Sequence, residues 1–510
     1  MEGGKAQKAE TVGCHNSARA SEGGNGSASP ERPTSIYGEG LSSASGKEAA
    51  LSTQEAEPSL QAIHRRISRK ADMRLLPLVV LLYALSLIDR TNLAGARISG
   101  IDAALGLNLG NRYSVVLSIF YIGYVLFELP SNIVLKKAGA PLWLSILALL
   151  FGVITLGIGF AKNYATLVAL RILLGTLEAG LFPGCLYLMA AWYPRYELQK
   201  RVAIFFTGAT LLSSFANILS YGLTQIADEP EINGWEYIFI VQGAITIGIA
   251  IINFIFLPEF PESKRGNKFL SADEKEALVS RLISERGDAE SGKVTWKVVK
   301  DVCLAWHTWT VGFVYIGGSC SLYSFLFFLP VILRNSFGFT TVMAFCLSAP
   351  PAAFSVFYSL AMSWFADRVH QRGVFVISNS VVAVAGLALT GFLNPPAGRY
   401  VGTFLGMGGS TALVSSALAW GQNNVRLDSR RSVLTVTQAV FAAIGGIYSA
   451  QVFRQQDAPD YTPGIIATGA LLLFNAFLSI LSVYFLRREN QKADRGEIMI
   501  EESVEFRYTL

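Results

Sequence analysis

A series of long apolar stretches is the feature that most constrains how this chain can fold. From about Arg74 onward, apolar stretches of about 18 to 25 residues alternate with shorter polar breaks. A helix needs about 20 apolar residues to cross the ~30 Å hydrocarbon layer of a membrane, so each stretch is long enough to span one. We count twelve such spans, numbered 1 to 12, at residues 75–96, 113–135, 142–161, 165–190, 202–224, 236–257, 305–329, 340–362, 374–394, 400–421, 432–453 and 464–486.

The composition excludes a water-soluble enzyme. Charged residues make up only 15% of the 510 residues and hydrophobic residues 52%, whereas soluble domains carry roughly 25% charged residues. The sequence contains none of the patterns GxxxxGK[ST], GxSxG or HExxH, and its cysteines and histidines are too scattered for a metal cluster. We therefore expect no catalytic site, no metal and no cofactor.

The longest polar break lies between spans 6 and 7 and divides the spans six and six. The predicted fold is an all-α membrane protein of two six-helix bundles. In chain order we expect a disordered cytoplasmic tail, the first bundle, a cytoplasmic linker, the second bundle and a cytoplasmic C-terminal tail, at residues 1–64, 65–257, 258–304, 305–486 and 487–510. Within the linker, Ser271 and Glu274 form a capping-box pattern that predicts the start of a short amphipathic helix.

The distribution of basic residues predicts the orientation of the chain. Apart from the five Lys and Arg residues of residues 1–64, polar segments on the side of the N-terminus hold 29 Lys and Arg residues, and those on the other side hold six. Cytoplasmic loops carry such an excess of basic residues. Both termini are therefore expected in the cytoplasm, and Asn25, in the Asn-Gly-Ser sequon, is expected to stay unglycosylated.

Five ionisable residues remain inside the spans. Asp89 and Arg90 lie in span 1, Glu128 in span 2, and Arg171 and Glu178 in span 4. Such residues are costly in a membrane and usually face a partner or a water-filled pathway, so each is a candidate functional residue. A helical rise of about 1.5 Å per residue places Asp89 and the two arginines at one level in the outer half of the membrane. It places the two glutamates in the inner half.

Each of these charges also has a purely structural explanation. Arg171 and Asp89 could form a static ion pair between two helices, and Glu178 could be a hydrogen-bonded packing carboxylate. Glu128 precedes Leu129-Pro130 and could brace a helix break. A carboxylate buried beside a cation that it can lose, however, changes its affinity for protons with conformation, which is the requirement for a proton-coupling site.

Two short basic motifs lie on the predicted cytoplasmic side. Asp367, Arg368 and Arg372 form a charged turn after span 8. The segment Arg65-Arg66-Ile67-Ser68 precedes span 1. It is either a polybasic membrane anchor or a serine that a protein kinase could modify beside the membrane.

Six plus six spans with a long middle loop and cytoplasmic ends resemble the major facilitator superfamily. Residues from about 72 to 490 are similar to its anion:cation symporter branch, specifically the fungal allantoate permease group with its nicotinate, pantothenate and biotin transporters. The resemblance is carried by LIDRTN at 87–92, FYIGY at 120–124, FELPSN at 127–132, RILLG at 171–175, EAG at 178–180, PG at 183–184, WYP at 192–194, Trp420 with Asn423-Asn424, and DAP at 457–459 with Tyr461 and Gly464.

The resemblance implies roles for residues already singled out. We predict proton coupling by Asp89 and Glu178, substrate binding by Arg90, Tyr124, Trp420 and Asn423, charge pairing by Arg171 and Glu128, and gating by Asp367, Arg368 and Arg372. The chain also departs from the family pattern. Ala443 stands where many relatives have a substrate-contacting asparagine, Glu236 replaces a commoner arginine, and the turn after span 2 lacks the aspartate of the turn after span 8.

The resemblance predicts a secondary active transporter, not an enzyme, in the plasma membrane. We expect a monomer that takes up a small organic anion with protons, has the lipid bilayer as its environment, and binds no nucleic acid. Two alternatives stay open. One is a proton-driven efflux antiporter, although span 5 lacks the Gly-Pro motif usual in that class. The other is a nutrient sensor that binds without transporting.

Overall fold

The computed structural model describes residues 41–193, 195–225, 233–261, 263, 269–287, 295–369, 371–501 and 506–510. The chain divides into two units, residues 1–61 and 62–510, and the description below concerns the second. Asn25 and the other residues before Leu41 lie outside the described part. The first helix begins at Leu41, so residues 41–64 of the expected tail are helical.

Almost all of the described residues are helical. The helices in chain order are α1 (Leu41–Ile98), α2 (Ile101–Leu105), α3 (Arg112–Ala138), α4 (Ala140–Ile158), α5 (Tyr164–Glu178), α6 (Leu181–Trp192), α7 (Arg195–Ser214), α8 (Ala216–Gln225), α9 (Gly234–Phe256), α10 (Ala272–Gly287), α11 (Trp296–Leu304), α12 (Trp306–Asn335), α13 (Thr341–Val369), α14 (Arg372–Phe392), α15 (Pro396–Asn423), α16 (Asp428–Val452) and α17 (Thr462–Asp494).

Within the described ranges, twelve helical segments are long and apolar enough to cross a membrane. They match the predicted spans in number and order, so the prediction of a twelve-span helical membrane protein is confirmed. Span 4 consists of α5 and α6, and span 5 consists of α7 and α8. The interruption in span 4 follows directly after Glu178.

Two capping boxes fix helix starts at polar segments. The backbone N–H of Ser271 donates to Glu274, and the backbone N–H of Glu274 donates to the Ser271 hydroxyl at 3.2 Å, which confirms the predicted linker helix start. Asn233 and Glu236 cap α9 in the same way. The acidic residue that departs from the family pattern at position 236 is therefore a helix cap.

Spans 2 and 4 pack closely because glycines face the contact. A Cβ atom added to Gly175 would lie 2.0 Å from the Phe120 carbonyl oxygen, and one added to Gly123 would lie 2.5 Å from the Ile172 carbonyl oxygen. No side chain fits at either position unless the helices separate. This approach brings the residues of span 4 within reach of spans 1 and 2.

The substitution Gly175→Ala should destabilise the protein because its methyl group would overlap backbone atoms of span 2. Overpacking of this kind costs about 1–3 kcal/mol or more. Gly248→Ala is the matched control, since a Cβ there meets nothing within 4 Å and alanine favours the helix. Thermal unfolding in detergent should show a lower midpoint for Gly175→Ala alone. Equal midpoints for the two variants would contradict the close packing.

The two bundles meet in the halves that the basic residues assign to the outer side. The hydroxyl of Tyr113 in span 2 donates to the Phe327 carbonyl of span 7 at 3.4 Å. The Gln451 amide of span 11 donates to Ser118 of span 2 at 2.9 Å. Arg334, at the end of span 7, donates to the Ile98 carbonyl at the end of span 1. These contacts join the bundles on the outer side of the charged residues of spans 1 and 4.

Candidate functional site

The first buried charge pair joins spans 1 and 4. The Arg90 guanidinium donates to one oxygen of Glu178 through Nε at 2.8 Å and through Nη2 at 2.6 Å. Ser86, one turn earlier on α1, donates to the same oxygen at 2.5 Å. Glu178 is 1% exposed and Arg90 is 9% exposed. The pair is therefore shielded from solvent. In such a low-dielectric interior an ion pair is electrostatically strong, and the loss of one partner is costly.

The second pair lies beside the first. Nη1 of Arg171 is 3.6 Å from Oδ2 of Asp89, and the Thr155 hydroxyl of span 3 donates to the other Asp89 oxygen at 3.2 Å. Both charged side chains are buried. Asp89 and Arg171, which the helical rise places at one level, thus lie in contact in the structure. Together with Arg90 and Glu178 they form what we call the charge quartet.

Aromatic side chains surround Arg90. Its guanidinium carbon lies 5.3 Å from the ring centre of Tyr124 and 5.5 Å from that of Phe120, distances at which a cation is attracted to a ring face. Nη1 donates to the Tyr323 hydroxyl of span 7 at 3.2 Å. Arg90 is thus the residue of the quartet through which the first bundle contacts the second.

A small cavity adjoins the quartet. Its lining includes Arg90 and Arg171 together with apolar and aromatic side chains from spans 2 and 7, at Val116, Leu117, Phe120, Tyr121 and Phe327. Two donors of Arg171, Nε and Nη2, are buried without a hydrogen-bond partner in the described structure. Buried donors are normally paired. The cavity therefore combines two cations, unpaired donors of Arg171 and an aromatic wall. Its volume of about 10 Å³ holds roughly one water molecule, so it would have to widen to admit an organic anion.

Glu128 lies near the quartet but is not hydrogen-bonded into it. Its carboxylate is buried, its Oε2 has no hydrogen-bond partner among the described residues, and Arg90 acts on it electrostatically. Its backbone carbonyl accepts from Asn132 at 3.0 Å, one helical turn later. Glu128, which was predicted to pair with a buried charge, therefore forms no direct ion pair with a member of the quartet in the described structure.

The structure places Trp420 and Asn423 apart from the quartet. Both lie in the last turn of α15, where the Trp420 indole is buried and donates to the Thr509 carbonyl at 2.9 Å, while Asn423 is exposed. The neighbouring Asn424 exchanges hydrogen bonds with the Thr509 backbone. This segment binds the end of the described chain, so we do not include it in the anion site.

The predicted gating residues form a local turn. Asp367 pairs with Arg372 at 2.5 Å, and the Arg368 guanidinium carbon lies 5.5 Å from the Trp364 ring centre. These contacts stay within the second bundle and connect the end of α13 to the start of α14.

Ala443 is buried in span 11, where Gly446 approaches Tyr121 so closely that an added Cβ would lie 2.4 Å from its ring.

Sequence reasoning missed several members of the site. Ser86, Thr155, Tyr121 and Tyr323 contact the quartet or line its cavity. Only Ser86 had a signal in the sequence: it precedes Arg90 by one helical turn, which places both on one helix face. Among the described residues, no group of three or more His, Cys, Asp or Glu side chains could hold a metal ion.

Known proteins resemble this chain in both sequence and fold. Residues 79–450 match the family model of the Major Facilitator Superfamily. An uncharacterized transporter of Schizosaccharomyces pombe is 31% identical over 85% of this chain and 85% of its own. The high-affinity nicotinic acid transporter of Saccharomyces cerevisiae is 29% identical over 84% of this chain and 79% of its own.

Solved structures agree on the architecture. A bacterial homologue of the human lysosomal transporter Spinster, in an inward-facing and unoccupied conformation, superimposes with a TM-score of 0.61 at 16% identity, covering 80% of this chain and 96% of its own. The xylose transporter of E. coli, in a partially occluded inward-open conformation, superimposes with a TM-score of 0.62 at 12% identity, covering 79% of this chain and 97% of its own. The chain belongs to the Major Facilitator Superfamily and is a multi-pass integral membrane transporter, not an enzyme.

Proposed function

We propose that this transporter takes up a small organic carboxylate together with protons across the plasma membrane. The observation that carries the proposal is the charge quartet beside a cavity that both of its arginines line. Arginine binds carboxylates through its planar fork of donors. The nicotinic acid transporter among the relatives has an aromatic carboxylate as its named substrate. The aromatic and arginine side chains that line the cavity match the chemistry of such a ligand, and the bundles would have to move apart to admit it.

Charge balance in the quartet favours proton coupling. Two arginines and two carboxylates sum to zero, so a monoanion entering the low-dielectric cavity would leave a net negative charge. One proton on Glu178 removes that excess and weakens its hold on Arg90, which then binds the substrate carboxylate. A proton on Asp89 would release Arg171 in the same way. Loss of the protons to the cytoplasm restores both ion pairs and expels the anion.

The contact of Arg90 with Tyr323 links substrate binding to movement of the bundles. Secondary transporters alternate access by rocking their halves about a central site. The outer halves are joined here by Tyr113 and Gln451, a geometry that supports an inward-facing state. The quartet is complete within one chain, so we propose a monomeric transport unit.

The decisive experiment is uptake of labelled carboxylates by vesicles that contain the purified protein. Nicotinate, allantoate, pantothenate and biotin should be compared under an imposed pH gradient, with the membrane potential clamped. Accumulation on the alkaline side of at least one carboxylate supports proton symport. Accumulation on the acidic side would identify the efflux antiporter, and binding without accumulation would identify the sensor.

The substitution Arg90→Lys should weaken carboxylate binding about ten- to a hundredfold. Lysine keeps the charge but loses the planar fork, and one hydrogen bond to a charged group contributes about 1.5–3 kcal/mol. The concentration for half-maximal uptake should rise accordingly. Arg112→Lys is the matched control, because Arg112 lies at the start of span 2 over the Tyr164 ring, apart from the quartet. Unchanged affinity in Arg90→Lys would remove Arg90 from substrate binding.

A further inference from the structure

The linker helix α10 is fastened to the first bundle by ion pairs on the predicted cytoplasmic side. Lys70 Nζ lies 2.7 Å from Glu274 Oε1, and Arg281 Nη2 lies 2.9 Å from Glu197 Oε1. The α10 side chains Leu278 and Leu282 are buried in the hydrophobic core. We call the four charged residues, together with Ser68, the linker latch.

Ser68 is the uncharged member of the linker latch. Its hydroxyl donates to Glu197 Oε2 at 3.0 Å, while Arg281 and Arg201 approach the same carboxylate at 2.9 and 3.0 Å. Burial would raise the pKa of Glu197, but the hydrogen bonds from Arg281 and Ser68 outweigh it and hold this pKa below its usual value. The carboxylate that fastens α10 is thus ionised and shared with Ser68.

Ser68 also lies at the end of span 1 that the predicted orientation places in the cytoplasm, although it is half-buried and its hydroxyl is bonded to Glu197. The helical segment of span 1 runs over 36 residues from Ile63 to Ile98, and at 1.5 Å per residue it is longer than the ~30 Å hydrocarbon layer. Its first turns therefore project into the cytoplasm. The residues before the serine are Arg65 and Arg66, both exposed, and two arginines ahead of a serine are a substrate pattern for basophilic protein kinases.

We propose that Ser68 is a phosphorylation site and that its modification releases α10 from the first bundle. In the reaction the Ser68 oxygen bonds to the γ-phosphorus of a nucleoside triphosphate held by a protein kinase. The bond to the β-phosphate bridging oxygen breaks, a nucleoside diphosphate leaves, and the hydroxyl proton passes to the kinase base. This face is separate from the charge quartet, so neither proposal depends on the other.

The charges of the linker latch and of the neighbouring Asp72 and Arg201 explain why release follows. Glu197 and Asp72 are balanced by Arg201 and Arg281. A phosphate adds a charge of about −1.5 to −2 beside Glu197 and removes the hydroxyl donor. Like charges in contact repel, so the phosphate and Glu197 push span 1 away from the start of α7. Because α10 is held to span 1 through Glu274 and to α7 through Arg281, it cannot keep both ion pairs once these two helices move apart.

The first test measures phosphorylation of the full-length purified chain. With the catalytic subunit of cyclic-AMP-dependent protein kinase and Mg-ATP, mass spectrometry should find phosphate on Ser68 and none at this position in Ser68→Ala. Because the hydroxyl must first leave Glu197, a loosened latch should speed the reaction. We expect a rate about fivefold higher in Glu274→Gln, the ratio that corresponds to about 1 kcal/mol.

Glu276→Gln is the matched control, since it removes an exposed carboxylate from the same helix, and its rate should equal that of the parent. A synthetic peptide of residues 61–74 verifies that the kinase accepts the motif. If the peptide is phosphorylated and the folded chain and Glu274→Gln are not, the proposal is overturned.

The second test measures release of α10 by hydrogen exchange. Backbone amides of α10 should exchange about fivefold faster in the phosphorylated chain and in Ser68→Asp than in the parent, since local opening governs exchange. Ser68→Ala removes the hydrogen bond without adding charge, so its effect should be smaller. Exchange in spans 9 to 12 serves as the folding control. Unchanged or slower exchange of α10 in the phosphorylated chain would refute release.

Discussion

Glu178→Gln should strongly lower accumulation driven by a pH gradient while leaving exchange of substrate across the membrane intact. Glutamine can still accept a hydrogen bond from Arg90, whose guanidinium lies 2.6 Å from the native carboxylate, but it cannot carry a proton. Each coupled proton contributes about 1.4 kcal/mol, or about a tenfold accumulation ratio, for every pH unit of gradient. A gradient of two units should therefore reveal a loss of up to about a hundredfold for one proton.

Uptake and counterflow in vesicles separate the two parts of this result. The variant should still exchange labelled for unlabelled carboxylate, because the quartet would keep an excess positive charge that binds the anion without a proton. Glu128→Gln is the matched control, since it neutralises another buried carboxylate of the same bundle that forms no ion pair with Arg90 in the described structure. We expect it to keep gradient-driven accumulation. Accumulation by Glu178→Gln at the parental ratio would contradict proton coupling at this residue.

Hydropathy and the rarity of charge made much of this molecule predictable. Twelve apolar stretches can be recognised from length alone, and a charge inside one of them needs a partner. Counting residues along the helices was enough to place Asp89 level with Arg171, and the structure brings them within 3.6 Å. Both predictions depend on backbone position, which a regular helix fixes.

Predictions that depend on side-chain direction were less complete. The helical rise assigned Arg90 to the outer half and Glu178 to the inner half, yet the two are in direct contact. Helical side chains point toward the N-terminus of their helix, so the long arginine reaches inward past one turn to the level of Ser86. Backbone depth alone could not give this pairing.

Contacts between distant parts of the chain left no local signal. Tyr323 is one of 19 tyrosines, and nothing in its neighbourhood indicates that it contacts Arg90, 233 positions away. The basic residue Lys70 counted only toward orientation, although it pairs with Glu274 across 204 positions. Such pairs arise from the packing of the bundles and the linker, which the pattern of each segment does not specify.

Arg171→Met should strongly destabilise the protein. It leaves the Asp89 carboxylate buried with only the Thr155 hydroxyl as a donor, and breaking a buried ion pair from one side costs about 3–5 kcal/mol. The double variant Asp89→Asn/Arg171→Met removes both charges and should recover most of this stability. Thermal unfolding of the four proteins of the cycle in detergent gives the coupling between the two residues.

The same cycle decides between a static and a functional ion pair. Arg112→Met is the control for loss of an arginine outside the quartet and should cost far less, because Arg112 is only half-buried. If the pair merely holds spans 1 and 4 together, the stable double variant should transport with parental proton coupling. If Asp89 carries a proton, as we propose, the double variant should fold and bind carboxylate but accumulate it less steeply with the pH gradient, by about tenfold per pH unit for one lost proton. A double variant as unstable as Arg171→Met would instead show that the 3.6 Å contact is not what makes Arg171 important.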